Sequence, residues 1–159
     1  MLKPIAIATA ISGTLDILFA MILTVALGRQ IPNMLRYVAS GPFPAATDMG
    51  TAGAVLGLLV HFAVMAIMAA GLMLLVSWKP ERLETPIRTG IAYGVRTYFI
   101  MNWAIVPLRF HTPLPPKALS IVTQGFAHIV LVGIPMALIA ARYLEPRGPA
   151  RHQADEAQG

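Results

Sequence analysis

"GTAGAVLGLLVHFAVMAIMAAGLMLLV", residues 50–76, carries no charged residue and one histidine near its middle, His61. About 20 mainly apolar residues suffice for a helix to cross a bilayer, so this run reads as a spanning helix. An imidazole at its centre costs free energy unless something pairs with it. The partner of His61 is therefore a question about the arrangement of the rest of the chain.

The whole sequence agrees with that run. Of its 159 residues, 57% are hydrophobic and only 12% charged, against about 25% charged in soluble domains. The charge deficit places the chain among integral membrane proteins. The formal net charge of +5 lies almost entirely between apolar runs, where Lys and Arg set topology. There is no basic run and no aromatic platform for stacking bases, so nucleic acid is excluded as a partner. Cysteine is absent, which excludes disulfides, thiolate zinc sites and iron–sulfur clusters.

Four segments are long and apolar enough to predict spans: Pro4–Leu27, Thr51–Ser77, Ile87–Leu108 and Ala118–Tyr143. The fold class expected is an all-α membrane protein, a four-helix up-down transmembrane domain over residues 1–143. A polar tail, 144–159, is expected to be disordered and cytoplasmic. Pro4 and Pro86 suit the first turn of a helix, where a missing N–H costs nothing. The first apolar run, Ile5 to Leu27, exceeds the 7–15 residues typical of a signal-peptide core and is expected to be retained. Lys3, Lys79, Arg82, Arg88, Arg142, Arg147 and Arg151 fall in one set of loops, while Arg29, Arg36, Arg109 and Lys117 fall in the other. The richer set predicts cytoplasmic termini.

The first external loop has its own pattern. Ile31, Met34, Leu35 and Val38 recur at helical spacing, with Pro32 to open and Gly41-Pro42 to close, predicting a short amphipathic helix on the outer surface near residues 32–40. A weak repeat is also visible: "SGPFP" precedes the span holding "GLLVH", and "HTPLPP" precedes the span holding "QGFAH". The two helical hairpins would form a parallel repeat.

Five polar residues fall inside the predicted spans: Asp16, His61, Arg96, Asn102 and His128. Such groups usually face the bundle interior and pair. At 1.5 Å per residue, Asp16 and Arg96 reach roughly 18 and 15 Å from the cytoplasmic end, which predicts an ion pair between the first and third spans. His61 and His128 both lie roughly 15 Å below the outer boundary. Asn102 or His128 is the expected partner of His61. Thr9, Ser12, Gly13, Asp16, Ala20 and Thr24 line one side of the first span. Gly53 and Gly57 extend the His61 stripe as a small-residue ridge for close helix packing. Pro135 should free a carbonyl near residue 131.

The cluster admits three functions. The first is a non-enzymatic bundle held by buried polar contacts, whose partner is lipid, another membrane protein or a second copy of the chain. The second is a proton or small-solute pathway with Asp16, His61 and His128 as relay groups. The third is a single b-type haem between His61 and His128, with Gly57 and Gly125 leaving room for the porphyrin. HExxH, GxSxG, paired-carboxylate and P-loop patterns are all absent, so no catalytic residue and no other metal ligand is predicted.

Taken together, "SGTLDILFA", "GLLVHFAVMAIMAA", "YFIMNWAIVPL" and "AHIVLVGIPMALIAAR" resemble a family of small, functionally uncharacterised four-span bacterial inner-membrane proteins. The resemblance covers nearly the whole chain to Arg142. It implies a bacterial inner-membrane location and brings no activity with it.

Overall fold

The computed structural model describes residues 1–144; the tail expected to be disordered lies outside the described residues from 145 onward. The described residues are helical with no strand. Three helices are long and apolar enough to cross a membrane: α1 (Leu2–Ala26), α3 (Gly50–Trp78) and the continuous helix Ala118–Leu144. Between α1 and α3 lies α2 (Ile31–Ser40). The stretch from Pro86 to Phe110 is helical throughout, as α4 (Pro86–Phe99), a π-helical segment Ile100–Ile105 and α5 (Val106–Phe110).

Sequence chemistry explains the ends. Past α1, Gly28 takes φ +69°. Its N–H donates to Val25 O and that of Arg29 to Thr24 O, both at 2.9 Å. This is a Schellman closure, which satisfies carbonyls that the helix itself leaves open. Pro32 and Pro86 stand in first turns.

The helix Ala118–Leu144 comprises α6 (Ala118–Phe126), a π segment Ala127–Gly133 and α7 (Ile134–Leu144). Each π segment ends two residues before a proline, Pro107 or Pro135. Proline offers no N–H, and its ring crowds the carbonyl four residues back. One wider turn upstream absorbs both defects. The carbonyl of Val132, next to the one expected to be freed, takes a long hydrogen bond of 3.5 Å from the buried hydroxyl of Ser12 on α1.

The core lies where α6–α7 meets its neighbours. Met65, Met68, Leu72, Met73 and Val76 of α3 pack with Val132, Met136 and Ala140 of the last helix, and Ala8 of α1 closes the cluster. The helix α4 approaches the last helix backbone to backbone. A Cβ at Gly90 would stand 2.6 Å from Ile134 Cα, and one at Gly94 2.6 Å from Ile129 Cα. Gly133 faces the same seam from the other side.

The amphipathic helix occupies the predicted residues, but it is drawn into the protein rather than laid on its surface. Leu35 is 8% exposed and packs on Ile17 of α1 and Ala54 of α3. A Cβ at Gly57 would lie 2.5 Å from the carbonyl carbon of Leu35, so the backbones of α2 and α3 touch. Two bonds from Arg109 hold its far end, Nε to Gly41 O at 2.6 Å and Nη2 to Ser40 O at 2.7 Å. A cation there also suits the negative end of a helix. Tyr37 stacks on Phe110 with centroids 4.4 Å apart. The two hairpins are thus built differently: only the first has a folded-back helix, and only the second has π segments.

Candidate functional site

Gly13 starts the site. Having no side chain, it lets Phe62 and Met65 of α3 lie against α1; a Cβ there would be 2.7 Å from the Phe62 ring. That approach brings the residue just before Phe62, His61, onto the α1 backbone. Its Nε2–H donates to Gly13 O at 2.9 Å. The carbonyl has a second lone pair for this purpose beyond its helical bond. With Nε2 used as donor, Nδ1 is the nitrogen turned toward Asp16, 3.9 Å from Oδ2.

His128 completes the group from the last helix. Its Nδ1–H donates to Gln124 O at 2.9 Å, at the point where α6 changes to π register. The ring meets Tyr98 of α4 edge to face, centroids 6.0 Å apart. The Asp16 carboxylate has His61 within 4 Å, while His128 stands farther from it on the last helix. Among the described residues, Thr9 Oγ1 is the one sealed side-chain polar atom without a partner. Nε2 of His128 makes no hydrogen bond either, and so retains access to its surroundings. Asp16 keeps 17% of its side-chain surface.

The structure thus gathers three of the five polar residues, Asp16, His61 and His128, and leaves two elsewhere. The expected Asp16–Arg96 ion pair is not formed. Depth along the helices is similar for the two residues, but direction around them differs. Arg96 lies two residues past Gly94, a rotation of about 200°, and Gly94 is the residue pressed onto the last helix. Arg96 therefore points outward and is exposed. Asn102 bonds its own helix, Nδ2 to Tyr98 O at 3.3 Å. His61 faces inward, 8% exposed, but its partners are on α1 and not Asn102 or His128, because Gly13 lets α1 come close against this part of α3. The Gly53–Gly57 ridge receives α2 and its following turn at Ala46, not a long helix.

A haem does not fit these residues. The space expected beside Gly57 is filled by the Leu35 backbone, although Gly125 has no atom within 4 Å of where its Cβ would be. Nε2 of His61 is committed to Gly13 O, and its Nδ1 faces Asp16.

Several positions that build the site were not singled out from sequence. Gly90-x-x-x-Gly94 was legible as a small-residue packing motif. Helical spacing sets Ser12 and Gly13 on the inward side of α1 but gives no sign that either is a bonding partner. Arg109 looked like a topological charge and is instead the clamp of α2. Against family models, curated proteins and solved structures alike, the chain finds no match.

Proposed function

We propose that this is a four-span protein of the bacterial inner membrane, with both termini cytoplasmic, in which Asp16, His61 and His128 form a proton-binding centre serving a proton or small-solute pathway. The observation that carries the reading is the carboxylate of Asp16 facing Nδ1 of His61 at 3.9 Å from an adjacent helix, with no arginine or lysine in ion-pair distance of it among the described residues.

Crossing by the Pro86–Phe110 stretch is supported by its two ends. Pro86 follows the turn after α3, whereas Arg109 and Phe110 contact α2, which lies in the connection at the other end of α3. At 1.5 Å per residue the stretch is about 37 Å long, against about 30 Å of hydrocarbon.

A fixed guanidinium beside Asp16 would hold it as carboxylate at every working pH. Imidazole is different, because it gains and loses a proton near neutrality. The pair can hold one proton on either partner without net charge, and its loss leaves one negative charge among three helices. His128 offers the next nitrogen. The centre is covered on the outer side by Leu35 of α2 against Ile17, and Phe19 and Phe126 meet one turn beyond Asp16, centroids 5.3 Å apart.

The test has two readouts. Infrared difference spectra of the purified protein between acid and alkaline pH should show a carboxyl band that Asp16→Asn removes. Vesicles holding the protein and a pH dye should change internal pH under an imposed potential, and Asp16→Asn or His61→Gln should abolish the change. No Asp16-dependent band, together with flux equal to that of empty vesicles, would reject the centre.

A further inference from the structure

The outward arginine of α4 points to a binding surface. On the four-span reading, Arg96 lies ten residues past Pro86, roughly 15 Å into the bilayer. Among the described residues it makes no hydrogen bond and no ion pair. Its surroundings on α4 are exposed too: Ala92, Phe99, Ile100 and Trp103 share the outward side, while Gly90, Gly94 and Thr97 face the protein. A charged side chain at this depth costs about 2.5–3.5 kcal/mol on insertion scales and is normally paired.

Among the described residues no acid is placed to pair with it. Asp16 is the one acidic residue within the long apolar helices, and it faces His61. Asp48, Glu81 and Glu84 lie in the short 3-10 turns between helices. A second copy would bring the same set, its Asp16 turned toward its own His61 and its other described acids in the turns between helices. Lipid phosphate on the cytoplasmic side already has a cation on this face, since Arg88 stands two turns nearer that end at i−8. Ala92 between the two arginines is small enough for a neighbouring helix to come close.

We propose that the outward face of α4, centred on Arg96, docks a transmembrane helix of another protein that carries an Asp or Glu near mid-membrane. This rests on the crossing of Pro86–Phe110 but not on the proton-binding centre.

The experiment uses the full chain, donor-labelled, in phosphatidylcholine vesicles. The probes are acceptor-labelled Leu-rich helical peptides bearing one central Glu, Gln or Leu. Energy transfer should show the Glu peptide binding at least about tenfold tighter than the Leu peptide. Arg96→Leu should erase that preference, Arg96→Lys should keep part of it, and Arg96→Glu should move it to a peptide with a central Lys. Equal binding of the three peptides, or a Glu preference that survives Arg96→Leu, would overturn the surface. So would self-association of the wild-type chain that is lost in Arg96→Leu without any Glu preference. Should Arg96→Leu fail to fold, Arg96→Gln carries the same comparison. Cysteines at positions 88 and 108, labelled from one side only, would overturn the crossing and the surface together. Labelling from opposite sides with no Glu preference would overturn the surface alone.

Discussion

Replacing Gly90 by alanine tests how α4 is held to the last helix. The added Cβ would stand 2.6 Å from Ile134 Cα and 2.7 Å from Gly133 O. Both neighbours are backbone, so no rotamer change relieves the contact. Reaching an ordinary separation of 3.4 Å requires the helices to part by about 0.8 Å, and a gap of that size forfeits a quarter to a half of each dispersion contact along the seam. Dispersion and close packing are what hold helices together in lipid, where apolar burial gives little. Overpacking of this kind costs about 1–3 kcal/mol. Gly125→Ala is the matched control, since nothing lies within 4 Å of its Cβ; alanine there should stabilise by about 0.5–1 kcal/mol through helix propensity. The assay is reversible unfolding in mixed micelles, followed by circular dichroism as denaturing detergent is raised. Gly90→Ala as stable as wild type, or the two variants equally damaging, would refute the backbone contact.

Four further outcomes are expected. Gly57→Ala should push α2 off α3, because its Cβ would meet the Leu35 backbone; a cysteine at the fully buried Ala39 should then react faster with an impermeant maleimide. Arg109→Ala should destabilise by about 2 kcal/mol through loss of two charge-assisted bonds to Gly41 and Ser40, and should raise the same labelling rate. Burial pushes the Tyr37 phenol above its ordinary value of 10.0. The neutral phenol is thus favoured in the folded protein, so its contribution is complete below pH 10 and is lost as pH rises past that value. Comparison of wild type with Tyr37→Phe in an ultraviolet titration should show the Tyr37 phenol ionising above pH 10 and α2 loosening as it does. Finally, Asp16→Asn and His61→Gln should be coupled by about 0.5–3 kcal/mol in a double-mutant cycle on stability, and strict additivity would separate the two residues.

Hydropathy made α1, α3 and the last helix legible, because long uncharged runs leave few alternatives. The stretch from Pro86 is harder to read, since Arg88, Arg96, Thr89, Thr97, Asn102 and two glycines dilute it. The register of α2 was plain from Ile31, Met34, Leu35 and Val38, but its resting place was not. Gly53 and Gly57 announce a close neighbour without saying which. The depths of Asp16 and Arg96 also followed from residue counting. Counting is silent about direction around a helix, and there the two diverge: Gly94 fixes which side of α4 is inward, and Arg96 falls on the other. The partners of His61 were hidden for another reason, because Gly13 contributes a carbonyl that every residue possesses and no side chain advertises.

The π segment Ile100–Ile105 sets a length as well as a shape. It is in effect an α-helix with one residue too many. Deleting one residue within it would restore α spacing and leave the residues beyond on nearly the faces they now occupy, whereas deleting one from the regular turns of α4 would shorten the helix by about 1.5 Å and turn everything beyond it by about 100°. Arg109 and Phe110 would then swing away from Ser40 and Tyr37, and α2 would lose its clamp. The side chains of this segment are all at least partly exposed, so their identities have latitude, and the one extra residue shares it, while the regular turns of α4 allow no change in number.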